Sequence, residues 1–166
     1  MNELGLVDEV KGSLSAPTLA VLAAPPPETD WSDHALIDEI FLATEEACGR
    51  TRALQLVRRA QEVVVPVGTS LHSGLLGMFG VSPALLFGQL SDSTRRVVDG
   101  AFVHWTPTGT GSGSLEIAYD RPFRSAHLFQ MFIPAIELVF ELCCVDGVVS
   151  EPYVMSLARA RFQVRW

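Results

Sequence analysis

The sequence predicts an α+β fold, an antiparallel sheet covered on one face by helices, including one long, proline-kinked apolar helix. Three observations carry that expectation. Residues 32–100 repeat apolar side chains at helical spacing, and several segments after Ala101 alternate apolar with polar residues. Between those alternating segments lies the most apolar run of the chain, Ser125–Gly147 (SAHLFQMFIPAIELVFELCCVDG), whose period is again helical. At 166 residues and 18.1 kDa the chain is long enough to bury roughly 70% of its unfolded surface, so it needs no disulfide staples.

Residues 1–30 read as an N-terminal arm and proline-rich linker, followed by a single α+β domain over residues 31–166. Within the arm, Val7, Leu14, Leu19, Val21 and Leu22 suit a short helix and a strand. AAPPPETD then stops regular structure, because three prolines remove donors and enforce extended backbone. Ser32 or Asp33 is placed to cap the next helix, with Leu36, Ile37, Ile40, Phe41 and Thr44 on one face and Asp38, Glu39, Glu45 and Glu46 toward water. Gly49 interrupts. Leu54, Leu56, Val57 and Ala60 give a further helix its apolar face, with Arg50, Arg52, Arg58 and Arg59 outside.

In SLHSGLLGMFGVSPALLFGQL, Gly74, Gly77 and Gly80 recur every three residues among Leu75, Leu76, Met78 and Phe79. That spacing makes either a bare strip for close approach of a backbone or ligand, or a series of turns. Ser82 and Pro83 suit the N-cap and first position of a short helix over 84–90. Ser91 or Ser93 starts another, and Gly100 ends it.

AFVHWT and SLEIAYD alternate and flank PTGTGSG, which reads as a long, flexible hairpin loop. A phosphate cradle is excluded there: a strand rather than a helix N-terminus follows, and the loop has no lysine. In the closing strand ARARFQVRW, Ala160, Phe162, Val164 and Trp166 share one face. Arg159, Arg161, Gln163 and Arg165 form a row on the other, either a solvated face blunting a sheet edge or a surface for an acidic partner, the acidic first third of the chain included.

Within Ser125–Gly147 the polar positions His127, Gln130, Pro134, Glu137, Glu141 and Cys144 fall on one stripe, and every other face is apolar. A helix of that kind is buried or covered by a partner. Pro134 inside it removes a hydrogen bond and bends the axis, which leaves a gap over the sheet. The expected ligand pocket or interface therefore takes Leu75, Met78, Phe79, Phe129, Phe132, Ile133, Pro134, Ile136 and Phe140. A polar seam of His127, Gln130, Glu137 and Glu141 faces water or a second subunit.

Composition excludes several classes. Glu137, Glu141 and Asp146 each cost about 2.5–3.5 kcal/mol at a membrane centre, so no span is expected. The start has acids where a signal peptide has bases, which points to the cytoplasm. Residues 1–49 hold ten acids against Lys11 alone, a net −9, and the remainder carries eleven arginines against nine acids, a net +2. The chain's −7 argues against nucleic acid or anionic lipid as partner. Hydrophobic residues make up 48% and the mean hydropathy is +0.28, an apolar excess that calls for a ligand or a partner.

No catalytic constellation is visible. His34, His72, His104 and His127 stand apart, without metal-ligand spacing. Cys48, Cys143 and Cys144 form no ligand-spaced cluster and suit buried free thiols. Glu137 and Glu141 share a helix face but lack a third group, the ordinary setting of exposed acids. No catalytic residue, metal site or cofactor is expected, with haem or metal sensing through His127 or His72 as a third alternative.

The pattern LFGQLSDSTRRVVDG, LEIAYDRP, the apolar helix and ARFQVRW resembles an uncharacterised paralogous family of myxobacterial proteins. That family is distantly similar to the haem-NO-binding-associated and 4-vinyl-reductase-type domains. The resemblance covers residues 31–166 and leaves the arm outside. It implies a helical layer on an antiparallel sheet, often dimeric, with an apolar pocket for sensing or carrying small hydrophobic ligands. A haem-ligand signature of the form Y-x-S-x-R is not present. The leading functional expectation is a non-enzymatic regulatory or sensory module that binds a small hydrophobic ligand or a protein partner. The alternative is a structural subunit whose apolar helix forms a homodimer or another oligomer interface.

Overall fold

Alternating burial along the last strand organises the sheet. The computed structural model describes residues 3–25, 34–64, 81–97 and 100–166. Its strands are β1 (Ala101–Gly109), β2 (Ser112–Tyr119), β3 (Val148–Val149), β4 (Tyr153–Ser156) and β5 (Arg159–Arg165). All pairings are antiparallel: β2 lies between β1 and β5, and β5 pairs with both β3 and β4 along its other side. On β5, Ala160, Phe162 and Val164 are buried while the arginines and Gln163 are exposed. The register extends that pattern across the sheet, aligning Val103, Ile117 and Ala160 in one inward row and Trp105, Leu115 and Phe162 in the next. β5 is thus an interior strand, so its arginine row blunts no edge. The edge reading fails because two short strands after the apolar helix return to pair with β5.

The expected long hairpin loop is also replaced. Gly109 pairs with Ser112, leaving Thr110 and Gly111 as the turn, and a register shift between Pro107 and Gly109 absorbs the irregularity. Gly111 has φ +68°, and its carbonyl accepts from the Trp166 N–H at 2.8 Å, which ties the chain's last residue to the turn.

Six helical segments of α type are described: α1 (Glu3–Ser13), α2 (Ala16–Ala23), α3 (His34–Cys48), α4 (Arg50–Val64), α5 (Pro83–Val97) and α6 (Ile133–Leu142). They belong to two compact units, Met1–Leu56 and Val57–Trp166. In the first, α1 and α2 pack against α3, so a helix forms where a strand is expected around Leu19–Leu22. Glu39 on α3 accepts hydrogen bonds from the Ser15 N–H and hydroxyl at the start of α2, and from Thr18 Oγ1. A carboxylate there satisfies orphan donors and complements the helix dipole. Gly49, at φ +79°, separates α3 from α4.

In the second unit α5 lies on β1 and β2 and touches α6. It starts as the sequence predicts: the Leu85 N–H reaches Ser82 Oγ at 3.4 Å, and Pro83 occupies the first turn. It then runs unbroken through Leu90 and Ser91, where two helices are expected. No helix among the described residues is long and apolar enough to cross a membrane.

The apolar run differs from the expected single bent helix. Ala126–Phe132 forms a 3₁₀ helix, and α6 begins at Ile133 with Pro134 in its first turn. Proline cannot donate to the preceding carbonyls, so the ladder changes there rather than bending through it. At its other end α6 closes with a Schellman motif: the Val145 N–H bonds the Phe140 carbonyl at 3.1 Å and the Cys144 N–H bonds the Glu141 carbonyl at 3.0 Å. Cys144 takes the left-handed position of that motif at φ 55°, where glycine is the usual residue.

Candidate functional site

The space over the sheet in residues 57–166 is filled by aromatic side chains. Phe87, on the inner face of α5, is fully buried and stacks on Trp105 with ring centroids 5.0 Å apart. It meets Phe140 edge-on at 5.8 Å and Trp166 at 6.2 Å. A second group, Phe123, Phe129, Phe132 and Tyr119, packs under the 3₁₀ helix with centroids 4.8–6.3 Å apart. Edge-to-face and offset pairs of this kind add about 0.5–1.5 kcal/mol each beyond area burial.

These rings occupy the ground where a bent helix would leave a gap. Of the residues expected to line a pocket or interface, Phe129, Pro134, Ile136 and Phe140 are buried, and Phe132 and Ile133 are half-buried. Leu75, Met78 and Phe79 lie outside the described residues, as does His72. Phe87 and Trp105 are the interior residues the periodicity did not single out; the alternation of β1 was the signal for Trp105.

The expected polar seam does not face water unattended. Arg58 on α4 reaches Glu137 at 3.1 Å with one terminal nitrogen and bonds Glu141 with the other. Gln130 donates to Glu151 at 2.8 Å, and His127 Nδ1 pairs with the Ser125 hydroxyl at 2.7 Å. Two acids spaced i, i+4 repel each other on a helix. A cation between them relieves that repulsion, so Arg58 supplies the third group that the sequence reading did not expect.

Beside this clasp, Arg58, Gln61, Pro134, Leu138 and Glu141 line a shallow surface depression open to solvent. Gln61 Oε1 is buried there with no hydrogen-bond partner among the described residues. The depression encloses no room for even a water-sized group, so it is a surface dimple rather than a ligand pocket. Cys143, at the end of α6, is buried, and burial foremost, with the adjacent Cys144 second, pushes its thiol pKa up. That favours the inert, protonated form.

A porphyrin would need a slot of its own and an axial donor. Among the described residues of this unit the interior is filled by rings and holds no such slot, while Leu75, Met78, Phe79 and His72 lie outside them. His104 stands on the exposed face of β1, and His127 holds its Nδ1 against the Ser125 hydroxyl, the kind of second-nitrogen contact that orients a ligating histidine.

No protein-family model and no curated protein matches the chain. Solved structures do. The unliganded Fe(II) H-NOX protein from K. algicida superposes with a TM-score of 0.69 at 10% identity, covering 98% of this chain and 86% of that one. An oxygen-binding H-NOX domain related to soluble guanylate cyclases, in its oxygen complex, gives 0.59 at 10% identity, covering 96% and 90%. An H-NOX structure solved to probe the function of heme distortion in that family gives 0.61 at 11% identity, covering 90% and 83%. These matches correct the expectation of no cofactor, because the fold it was set against is that of proteins studied for their heme. They do not bear on the narrower myxobacterial affinity. The chain has the α+β fold of H-NOX domains.

Proposed function

We propose that this chain is a sensory module on an H-NOX-type fold, regulatory rather than catalytic, that responds to a small hydrophobic ligand in the cytoplasm. The observation that supports the reading best is the likeness to H-NOX structures over nearly the whole chain. The apolar excess supports it independently, since a mean hydropathy of +0.28 exceeds what a closed domain of this size needs. A haem-class ligand is the first candidate because the H-NOX neighbours include an oxygen complex and studies of heme. The contacts proposed for the ligand come from Leu75, Met78 and Phe79, with Phe132, Ile133 and Ile136 on the helical run. His72 and His127 are the axial donors to test first.

The experiment is a titration of the purified chain with haemin and with a panel of apolar compounds, read by absorbance and by thermal unfolding. A ligand that binds only the folded state at a hundred times its Kd adds about 2.7 kcal/mol. A Soret band at one equivalent identifies haem, and a gain in Tm without it identifies another apolar ligand. No gain with any member of the panel contradicts the proposal.

A further inference from the structure

The outward face of the sheet is the largest feature that the ligand reading leaves unused. β2 and β5 turn Glu116, Arg159, Arg161 and Arg165 to that side. Beside them Tyr153 on β4 is 70% exposed, Val148 on β3 62%, Phe102 on β1 42% and Met155 38%. Arginine, tyrosine, phenylalanine and methionine are enriched at protein interfaces and lysine is depleted; the single lysine of this chain is Lys11. Glu116 holds Arg161 at 3.0 Å and Arg159 at 3.4 Å. One carboxylate against three guanidinium groups leaves this strip at +2, on a chain whose net charge is −7.

We propose that this face docks the acidic N-terminal third of a second copy of the chain. Charge selects the occupant: residues 1–49 carry ten acids against one lysine, the strongest charge asymmetry in the sequence, and although Asp38 is buried and Glu45 pairs with Arg50, Asp8, Glu9 and Glu46 are exposed. A face-to-face pairing of two such sheets would oppose arginine rows, which like-charge repulsion disfavours. Four strands about 4.8 Å apart and about seven residues long make a face on the order of 20 by 23 Å. That size belongs with the smaller, salt-sensitive protein interfaces. When two copies exchange this contact reciprocally, each sheet face meeting the other's acidic third, the pair closes as a two-fold dimer.

The test is sedimentation velocity on the full chain from micromolar to hundreds of micromolar, at low and at several-fold higher salt. The expected result is a low-salt dimer whose Kd rises about ten-fold with salt and about ten-fold again in Arg161→Glu. Tyr153→Ala, which removes no charge, is expected to weaken the dimer several-fold while leaving the circular dichroism and unfolding midpoint unchanged. A monomer at every concentration overturns the proposal. So does a dimer whose Kd is indifferent to salt and to both substitutions.

Discussion

The indole ring of Trp105 lies over Gly113 on the neighbouring strand, so closely that a Cβ at Gly113 would overlap it. Trp105 pairs with Leu115 and Pro107 with Gly113, so tryptophan and glycine meet on the diagonal of the inward face. The missing side chain is the slot in which the ring rests before it stacks on Phe87. Gly113→Ala is therefore expected to destabilise the protein by about 1–3 kcal/mol through overpacking. Urea unfolding followed by tryptophan fluorescence measures it, and a fall in the midpoint at unchanged m-value is the expected form.

Phe87 joins three other rings, from β1, α6 and the chain's last residue. Truncation to alanine removes the shared partner of all three at a fully buried position. A loss of about 3–5 kcal/mol is expected. A loss below about 1 kcal/mol would mean that the rings close over the vacancy. The same denaturant measurement decides it.

The Arg58 clasp is half-open to solvent, with side-chain exposures of 41%, 38% and 48% for Arg58, Glu137 and Glu141. Arg58→Ala is expected to cost about 0.2–1 kcal/mol. The cost should shrink as salt is raised, since Glu137 and Glu141 then repel each other less. Unfolding at two ionic strengths checks both the size and the salt dependence.

Cys144 occupies a left-handed backbone position at φ 55° with an ordinary side chain. Glycine removes that strain at some cost in unfolded-state entropy, so Cys144→Gly is expected to stabilise by about 0.5–1 kcal/mol. Thermal unfolding of the two proteins compares them directly.

Burial raises the folded-state pKa of Cys143 above its unfolded value. The folded state then keeps its proton after the unfolded state has lost one, so stability falls as pH rises above about 8.5, the ordinary thiol value. The contribution is fully present below that pH and lost as pH passes through the folded pKa. In Cys143→Ala the decline above pH 8.5 should be shallower, as measured by urea midpoints across the alkaline range.

Much of this architecture was legible because one face of the sheet is dry. Alternation in ARARFQVRW places Ala160, Phe162 and Val164 inside, and Ser82–Pro83 fixes the start of α5 through the missing proline N–H. What the sequence did not show depends on partners distant in the chain. The position of β5 inside the sheet follows from β3 and β4, which are too short to alternate. The helix-type change at Pro134 goes with the packing of the 3₁₀ residues Phe129 and Phe132 against Phe123, which periodicity does not reveal. In the candidate site, Glu137 and Glu141 were visible as a pair, but their cation lies 79 and 83 residues away. The cofactor expectation rested on local ligand motifs alone, whereas its correction comes from a likeness of overall fold that no local motif carries.

The central claim is that this H-NOX-type fold receives a hydrophobic ligand, and ligand-dependent stability tests it most directly. Thermal unfolding of the purified chain with haemin and with apolar compounds should show at least one saturable rise in Tm, with native mass spectrometry giving one ligand per chain. An unfolding temperature unmoved by every compound, with no bound species in the mass spectrum, would contradict the account.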